Sequence, residues 1–259
     1  MPTRDIELER TFNVRDLGGY RAAGGVPLPW RRLLRGAGLH RLDGADASVV
    51  GALELRTVLD LRTARELERH GRFPVELVPA RVVNLPMIPE RWDMTGLADD
   101  TIAAEYLSAR YVDMLHTGRE AIVTAFELLG DPARYPALLF CAGGKDRTGV
   151  LVALLLATLG VDDATIAADY ALSEHRLARL RAFRATSGGR EAMVDLHPAL
   201  AAAPAEAMLR LLEHVRTRYG SVAGLLESIG VARAHVDALR AAVLRPASIA
   251  RSAPGDQVS

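Results

Sequence analysis

Residues 137–160, ALLFCAGGKDRTGVLVALLLATLG, join two apolar segments through a short turn containing two glycines. The first segment, 137–140, follows Pro136 and is continuous in apolar character, as a strand buried on both faces reads. The second, 147–159, ends at Gly160 and is apolar on nearly every side, the pattern of a helix enclosed by other elements. A buried strand passing directly into a buried helix fits a layered α/β architecture.

The flanking sequence agrees. A short helix over 45–53 precedes the strand-like run 56–62, a helix over 63–70 is stopped by Gly71, and 80–85 is again strand-like. Such alternation favours a mostly parallel central sheet flanked by helices. Residues 90–130 carry little strand signal, and helical spacing over 101–116 and 120–129 predicts a helical insertion over the sheet. Beyond the junction come helices over 162–187, 203–219, 221–229 and 232–244. Residues 10–35, rich in Gly, Pro and Arg with extended fragments such as 30–34, predict an irregular opening segment of short antiparallel strands and loops. These elements make one domain, 1–245, followed by a Ser-, Ala- and Pro-containing tail, 246–259, expected to be disordered.

Composition narrows the possible functions. In 259 residues, 49% hydrophobic, there is ample material for a core, and 32 basic against 32 acidic residues give no reason to expect a nucleic-acid partner. One cysteine allows no intrachain disulfide, which points to the cytoplasm. The amino-terminal MPTRDIELER has no apolar signal core, which leaves export by another route open, and the longest apolar run, 150–159, is too short to span a bilayer. No integral membrane segment is expected. The seven histidines, at 40, 70, 116, 175, 197, 214 and 235, include no pair at the spacing of a local metal clamp, so no metal and no cofactor are expected.

A glycine-rich turn from strand to helix gathers backbone N–H groups and the positive helix end around one point, which suits a phosphate. A nucleotide P-loop does not fit, because Leu139 stands where its first glycine belongs and Asp146 follows Lys145. The turns at 15–19 and 36–41 lack the spaced glycines of a dinucleotide fingerprint. What fits is Cys141 and Arg147 framing a loop with room for one phosphate, the sulfur at its base. The N–H groups would favour a thiolate there, Arg147 can grip two phosphate oxygens with its planar fork, and the Thr148 hydroxyl can hydrogen-bond the departing sulfur. The plain alternative, a lone cysteine as a small core residue, ignores this frame. Lys145 and Asp146 taken alone would be a solvated turn pair.

The stretch CAGGKDRTG, 141–149, resembles the signature loop of the bacterial tyrosine/serine protein phosphatases in its Cys-x-x-Gly-Lys-Asp-Arg form. Phe12-Asn-Val-Arg-Asp-Leu-Gly-Gly-Tyr20, Leu59-Asp-Leu-Arg62, Asp169-Tyr170 with Ser173, and Tyr219-Gly-Ser-Val look like the same family, so the likeness covers most of the chain. It implies a protein tyrosine phosphatase-like fold and metal-independent hydrolysis of phosphotyrosine, extending to phosphoserine, phosphothreonine or phosphoinositides, through a cysteinyl-phosphate. The substrate would be a phosphorylated protein or a phosphoinositide. Ala142, Gly143, Gly144, Lys145, Asp146, Arg147 and Thr148 would surround the phosphate, with Lys145 tied to lipid substrates. Asp146, then Asp60 at a strand end, then Asp93 are the candidates for the acid that protonates the leaving group. Asn13, Arg15 and Asp16 read as a hydrogen-bonded turn that braces the sheet and supports the site indirectly, and Arg62 as an ion-pair partner. Where the family commonly has histidine before the cysteine, this chain has Phe140, which motivates the alternative of a weak or inactive phosphate-binding module.

Overall fold

The computed structural model describes residues 3–90, 92, 97, 98, 100–186 and 197–244. Asp93 and the tail 246–259 lie outside these residues. Five strands, β1 (Phe12–Asp16), β2 (Leu33–Ala37), β3 (Thr57–Asp60), β4 (Arg81–Asn84) and β5 (Ala137–Cys141), form one sheet in the order β1-β2-β5-β3-β4. β5 runs parallel to β2 and β3, β4 is parallel to β3, and β1 is antiparallel to β2. This is the mostly parallel sheet that the sequence implies. The carboxyl ends of β2, β3 and β5 therefore emerge along one edge, where parallel sheets place their sites.

Strand alternation sorts the core into two faces. Leu34, Val58, Leu138 and Phe140 pack with Val14, Leu39, Phe73 and Val78 on one side, together with Ala47 and Val50 of α1 (Gly44–Gly51). Leu33, Leu59, Leu139 and Cys141 face a larger cluster on the other. That cluster is built by α3 (Ala103–Thr117), α4 (Arg119–Leu129), α5 (Asp146–Thr158), α6 (Asp163–Ala171), α9 (Ala205–Tyr219), α10 (Val222–Ser228) and α11 (Arg233–Leu244). Three shorter or outlying helices complete the described chain: α2 (Ala64–His70), α7 (Ser173–Thr186) and α8 (Pro198–Ala201).

α5 is enclosed as expected: Leu151, Leu154, Leu155 and Leu156 have no exposure. Each buried leucine contributes about 2 kcal/mol of transfer free energy, so the helix that starts at the loop is firmly anchored. At α2 the Thr63 hydroxyl accepts from Glu66 N at 3.2 Å and the Glu66 carboxylate accepts from Thr63 N at 2.9 Å, a capping box that fixes both residues.

Two expectations change in the structure. The opening segment is more regular than its composition suggests, because β2 is an interior strand paired in parallel with β5 through all five of its residues. The helix expected over 162–187 is two, α6 and α7, divided at Leu172, and α6 packs on α5 and α9 while α7 packs on β1. Hydrophobic period cannot report such a change of packing partner. The helices expected over 101–116 and 120–129 are present as α3 and α4, and Tyr111, Met114, Ile122 and Phe126 pack in the same cluster as α5.

Candidate active site

Residues 141–148 cross from β5 to α5 at the carboxyl edge of the sheet. The carbonyls of Cys141, Gly143, Gly144 and Lys145 are each held by a donor. Gly38 N donates to Cys141 O at 3.0 Å and Gly149 N to Lys145 O at 2.7 Å. The Asn13 amide donates to Gly143 O and Gly144 O at 3.3 and 3.0 Å, and Arg35 Nη2 donates to Gly144 O at 2.7 Å. No described acceptor meets the backbone N–H groups of Gly143 to Thr148. Fixing the carbonyls outward turns the amides inward, which makes a cradle for an anion at the start of α5.

The sequence places the two donors that do this. β1 has an irregular register between Phe12 and Arg15, and Asn13 within it has φ +60°, a conformation asparagine tolerates better than most residues. The irregularity aims the Asn13 amide at the loop. Its carbonyl oxygen accepts from Arg15 Nη1, and Arg15 also donates to Asp169 of α6 through Nε at 2.9 Å. Arg35 Nη1 reaches the other Asp169 oxygen at 2.6 Å, and Tyr20 donates its hydroxyl to the same carboxylate. Burial opposes the Asp169 charge, but Arg15 and Arg35 outweigh it and hold the carboxyl well below its ordinary range. Burial and the neighbouring Arg15 lower Arg35 to about 10. Two guanidiniums around one carboxylate leave net positive charge beneath the loop, on the Cys141 face of the sheet. Asp16 accepts from Gly18 N and Arg31 N, the brace expected of this turn.

Cys141 is 2% exposed at the base of the cradle. Arg147 donates Nη1 to Glu66 Oε2 at 2.5 Å and Nη2 to Glu66 Oε1 at 2.9 Å. That pairing uses one edge of the guanidinium and leaves the Nε–Nη2 edge for a phosphate. Burial alone would raise the Glu66 carboxyl, but the bonds and charge of Arg147, with the Thr63 cap, bring it down to about 2. Burial works against the Arg147 charge in turn, yet the Cys141 sulfur and Glu66 raise its affinity for the proton. The Thr148 hydroxyl is fully buried and has no hydrogen-bond partner among the described residues.

Of the candidate acids, Asp146 is positioned at the cradle. Its side chain is 27% exposed, and Oδ1 accepts the Tyr111 hydroxyl at 2.7 Å and lies 3.2 Å from Lys145 Nζ. Asp60 is placed differently. It is 1% exposed, and Arg62 donates to it through the backbone N and through Nε and Nη2 at 2.9 and 2.6 Å. Alternation along β3 sends it to the face of Phe140, away from the sulfur. The same rule explains Phe140, whose ring packs 6.3 Å from that of Phe73 and 5.2 Å from the Arg62 guanidinium. It fills core on the side opposite Cys141.

Lys145 is 2% exposed, and Nζ donates to the carbonyls of Leu200 and Ala202 at 2.7 Å each. It joins the loop to α8 rather than presenting a free ammonium. The residues that sequence reasoning missed are Glu66, Arg35 and Tyr111. The Thr63-x-x-Glu66 spacing marks a helix cap but gives no sign of Arg147, eighty-one positions away.

A family model described as "Tyrosine phosphatase family" matches residues 6–245. A tyrosine-protein phosphatase of Nostoc commune is 30% identical over 230 residues, covering 82% of this chain and 74% of that protein. The triple specificity protein phosphatase PtpB of Mycobacterium tuberculosis is 26% identical over 279 residues, covering 92% of this chain and 98% of the relative. The chain belongs to the tyrosine phosphatase family, and its fold and activity are those of a protein-tyrosine-phosphatase, a phosphoric monoester hydrolase. No helix among the described residues is long and apolar enough to cross a membrane.

Proposed function

We propose that this phosphatase hydrolyses phosphotyrosine in proteins through a cysteinyl-phosphate, with Cys141 as nucleophile, Arg147 as phosphate clamp and Asp146 as acid. The observation that carries the reading is the loop itself, with its carbonyls tied back by Asn13 and Arg35, its amides turned inward, and Cys141 and the Glu66-aligned Arg147 on either side.

In the first step the Cys141 thiolate forms a bond to phosphorus as the ester bond breaks, and Asp146 gives its proton to the departing phenolate oxygen. In the second, water attacks phosphorus, Asp146 takes the water's proton, and the sulfur leaves as thiolate with Thr148 as hydrogen-bond donor. Phosphate charge is met throughout by Arg147 and by the N–H groups from Gly143 to Thr148. No metal enters these steps. Asp60 acts at a distance, by holding Arg62. The link between Lys145 and phosphoinositides is not carried into this reading, because its ammonium is engaged by Leu200 and Ala202. The unpaired Cys141 thiol suits a reducing compartment, which supports a cytoplasmic setting.

The test is hydrolysis of phosphotyrosine peptide and p-nitrophenyl phosphate in the presence of a chelator. Cys141→Ser should lower kcat by about 10³-fold or more. Asp146→Asn should lower kcat/KM by about a hundredfold on esters with poor leaving groups and far less on p-nitrophenyl phosphate. Wild-type protein that binds vanadate without turnover would favour the phosphate-binding module, and activity abolished by the chelator would overturn the metal-free steps.

A further inference from the structure

The two oxygens of the Asp146 carboxylate are in different situations. Oδ1 accepts from Tyr111, whose hydroxyl is itself 2.6 Å from that of Tyr170. No described partner meets Oδ2. Tyr111 is fully buried and Tyr170 is 1% exposed, so this chain of hydroxyls runs from α6 through α3 on buried side chains to the partly exposed Asp146 carboxylate.

A phenol carries one proton. With Asp146 Oδ1 as acceptor, Tyr111 spends its proton there and must accept from Tyr170, which orients the whole chain toward the carboxylate. The rings are fixed in place: they meet edge to face at 5.9 Å, the Trp92 ring lies 6.3 Å from Tyr111, and a Cβ on Gly149 would come within 3.0 Å of Tyr170. Both hydroxyls hold their protons. Burial raises each, and the Asp146 charge raises each further. Packing by itself would be satisfied by two phenylalanines, so the hydroxyls answer to a polar requirement at Asp146.

We infer that Tyr111 and Tyr170 are positioning residues for Asp146: by occupying Oδ1 they assign the transferable proton to Oδ2, the oxygen left to face the ester. The inference rests on Asp146 being the acid. The Lys145 ammonium stands 3.2 Å from Oδ1 as an ion pair from the same loop, and Cys141 and Arg147 are the other charged or ionisable groups of the cradle, Arg147 being paired with Glu66. Glu174 on α7 and Arg35 on β2 act on Tyr170 with opposite sign.

Tyr111→Phe and Tyr170→Phe test this on p-nitrophenyl phosphate and on a phenyl or alkyl phosphate, with kcat and KM resolved separately and circular dichroism to verify folding. Tyr111→Phe should lose about tenfold in kcat on the poor leaving group, with KM little changed, and lose little on the good one. Tyr170→Phe should do the same more weakly. Equal losses on both esters, or a loss carried by KM alone, would sink the positioning role while Asp146→Asn still shows its leaving-group dependence. An Asp146→Asn variant without that dependence would remove the acid reading, and this inference with it.

Discussion

Asn13 shows how much one side chain can decide. Its amide takes two loop carbonyls, and its own oxygen is tied to Arg15, so the loop's amides are aimed by a residue 130 positions away in sequence. Removing it leaves Gly143 O without its described donor and Gly144 O with Arg35 alone. Asn13→Ala should therefore fold, yet lose about tenfold in kcat and bind vanadate more weakly, as expected when preorganised donors can relax. Steady-state kinetics and a vanadate titration would check it, and unchanged values in both would show that the Arg35 bond suffices. Cys141, Arg147 and Asp146 were legible in the sequence because their spacing is local. Asn13, Arg35 and Glu66 carry no such spacing relative to the loop, and their roles follow from contacts made only on folding.

At the scale of elements, the tightest constraint lies between the loop and β2. Gly144 has φ +62°, and a Cβ there would stand 2.4 Å from Gly36 O and 2.9 Å from the Ala37 Cβ. Neither the conformation nor the space allows a side chain. Gly144→Ala should destabilise the protein by roughly 3 kcal/mol or more and abolish turnover. At Gly143 the nearest atom to a Cβ is Leu177 Cδ2 at 3.5 Å, an ordinary contact, so Gly143→Ala should unfold close to wild type. Urea unfolding of the two variants makes the comparison, and similar midpoints would contradict it. The strands β3 and β5 and most helix spans could be read from apolar pattern. That β2 lies beside β5 could not, since Gly36 and Arg35 interrupt the apolar run that marks a central strand.

For the whole molecule, buried charge ties stability to acid. Glu66 is held at about 2 and Asp169 is also depressed, so each folded carboxyl lies below its unfolded value. A depressed acid contributes stability above the unfolded value and loses it as pH falls through the folded one. For Glu66 this window runs from about 4.5 down to about 2, with on the order of 3 kcal/mol at stake. Asp16, raised chiefly by burial, works the other way and offsets part of the loss. Melting temperature should be flat near neutrality and fall steeply below about pH 4.5, and Glu66→Gln should lower the neutral value and flatten the fall. A melting temperature that stays constant to pH 3 would show that these pairs do not link folding to protons.

The sequence by itself grouped the candidate site at the junction, because a cysteine, an aspartate and an arginine within seven residues at a strand-to-helix turn share a site wherever that turn is placed. It also determined the layered class, through alternating short apolar runs and helical periods. Only the tertiary structure separated the two candidate acids in space, since alternation along β3 carries Asp60 to the Phe140 face while α3 and α6 bring Tyr111 and Tyr170 to Asp146. It likewise decided that Lys145 is held by α8 and that Arg147 is aligned by Glu66. The physical reason is range: local spacing fixes what one turn can hold, whereas the partners of a buried charge are chosen by whichever elements pack against it.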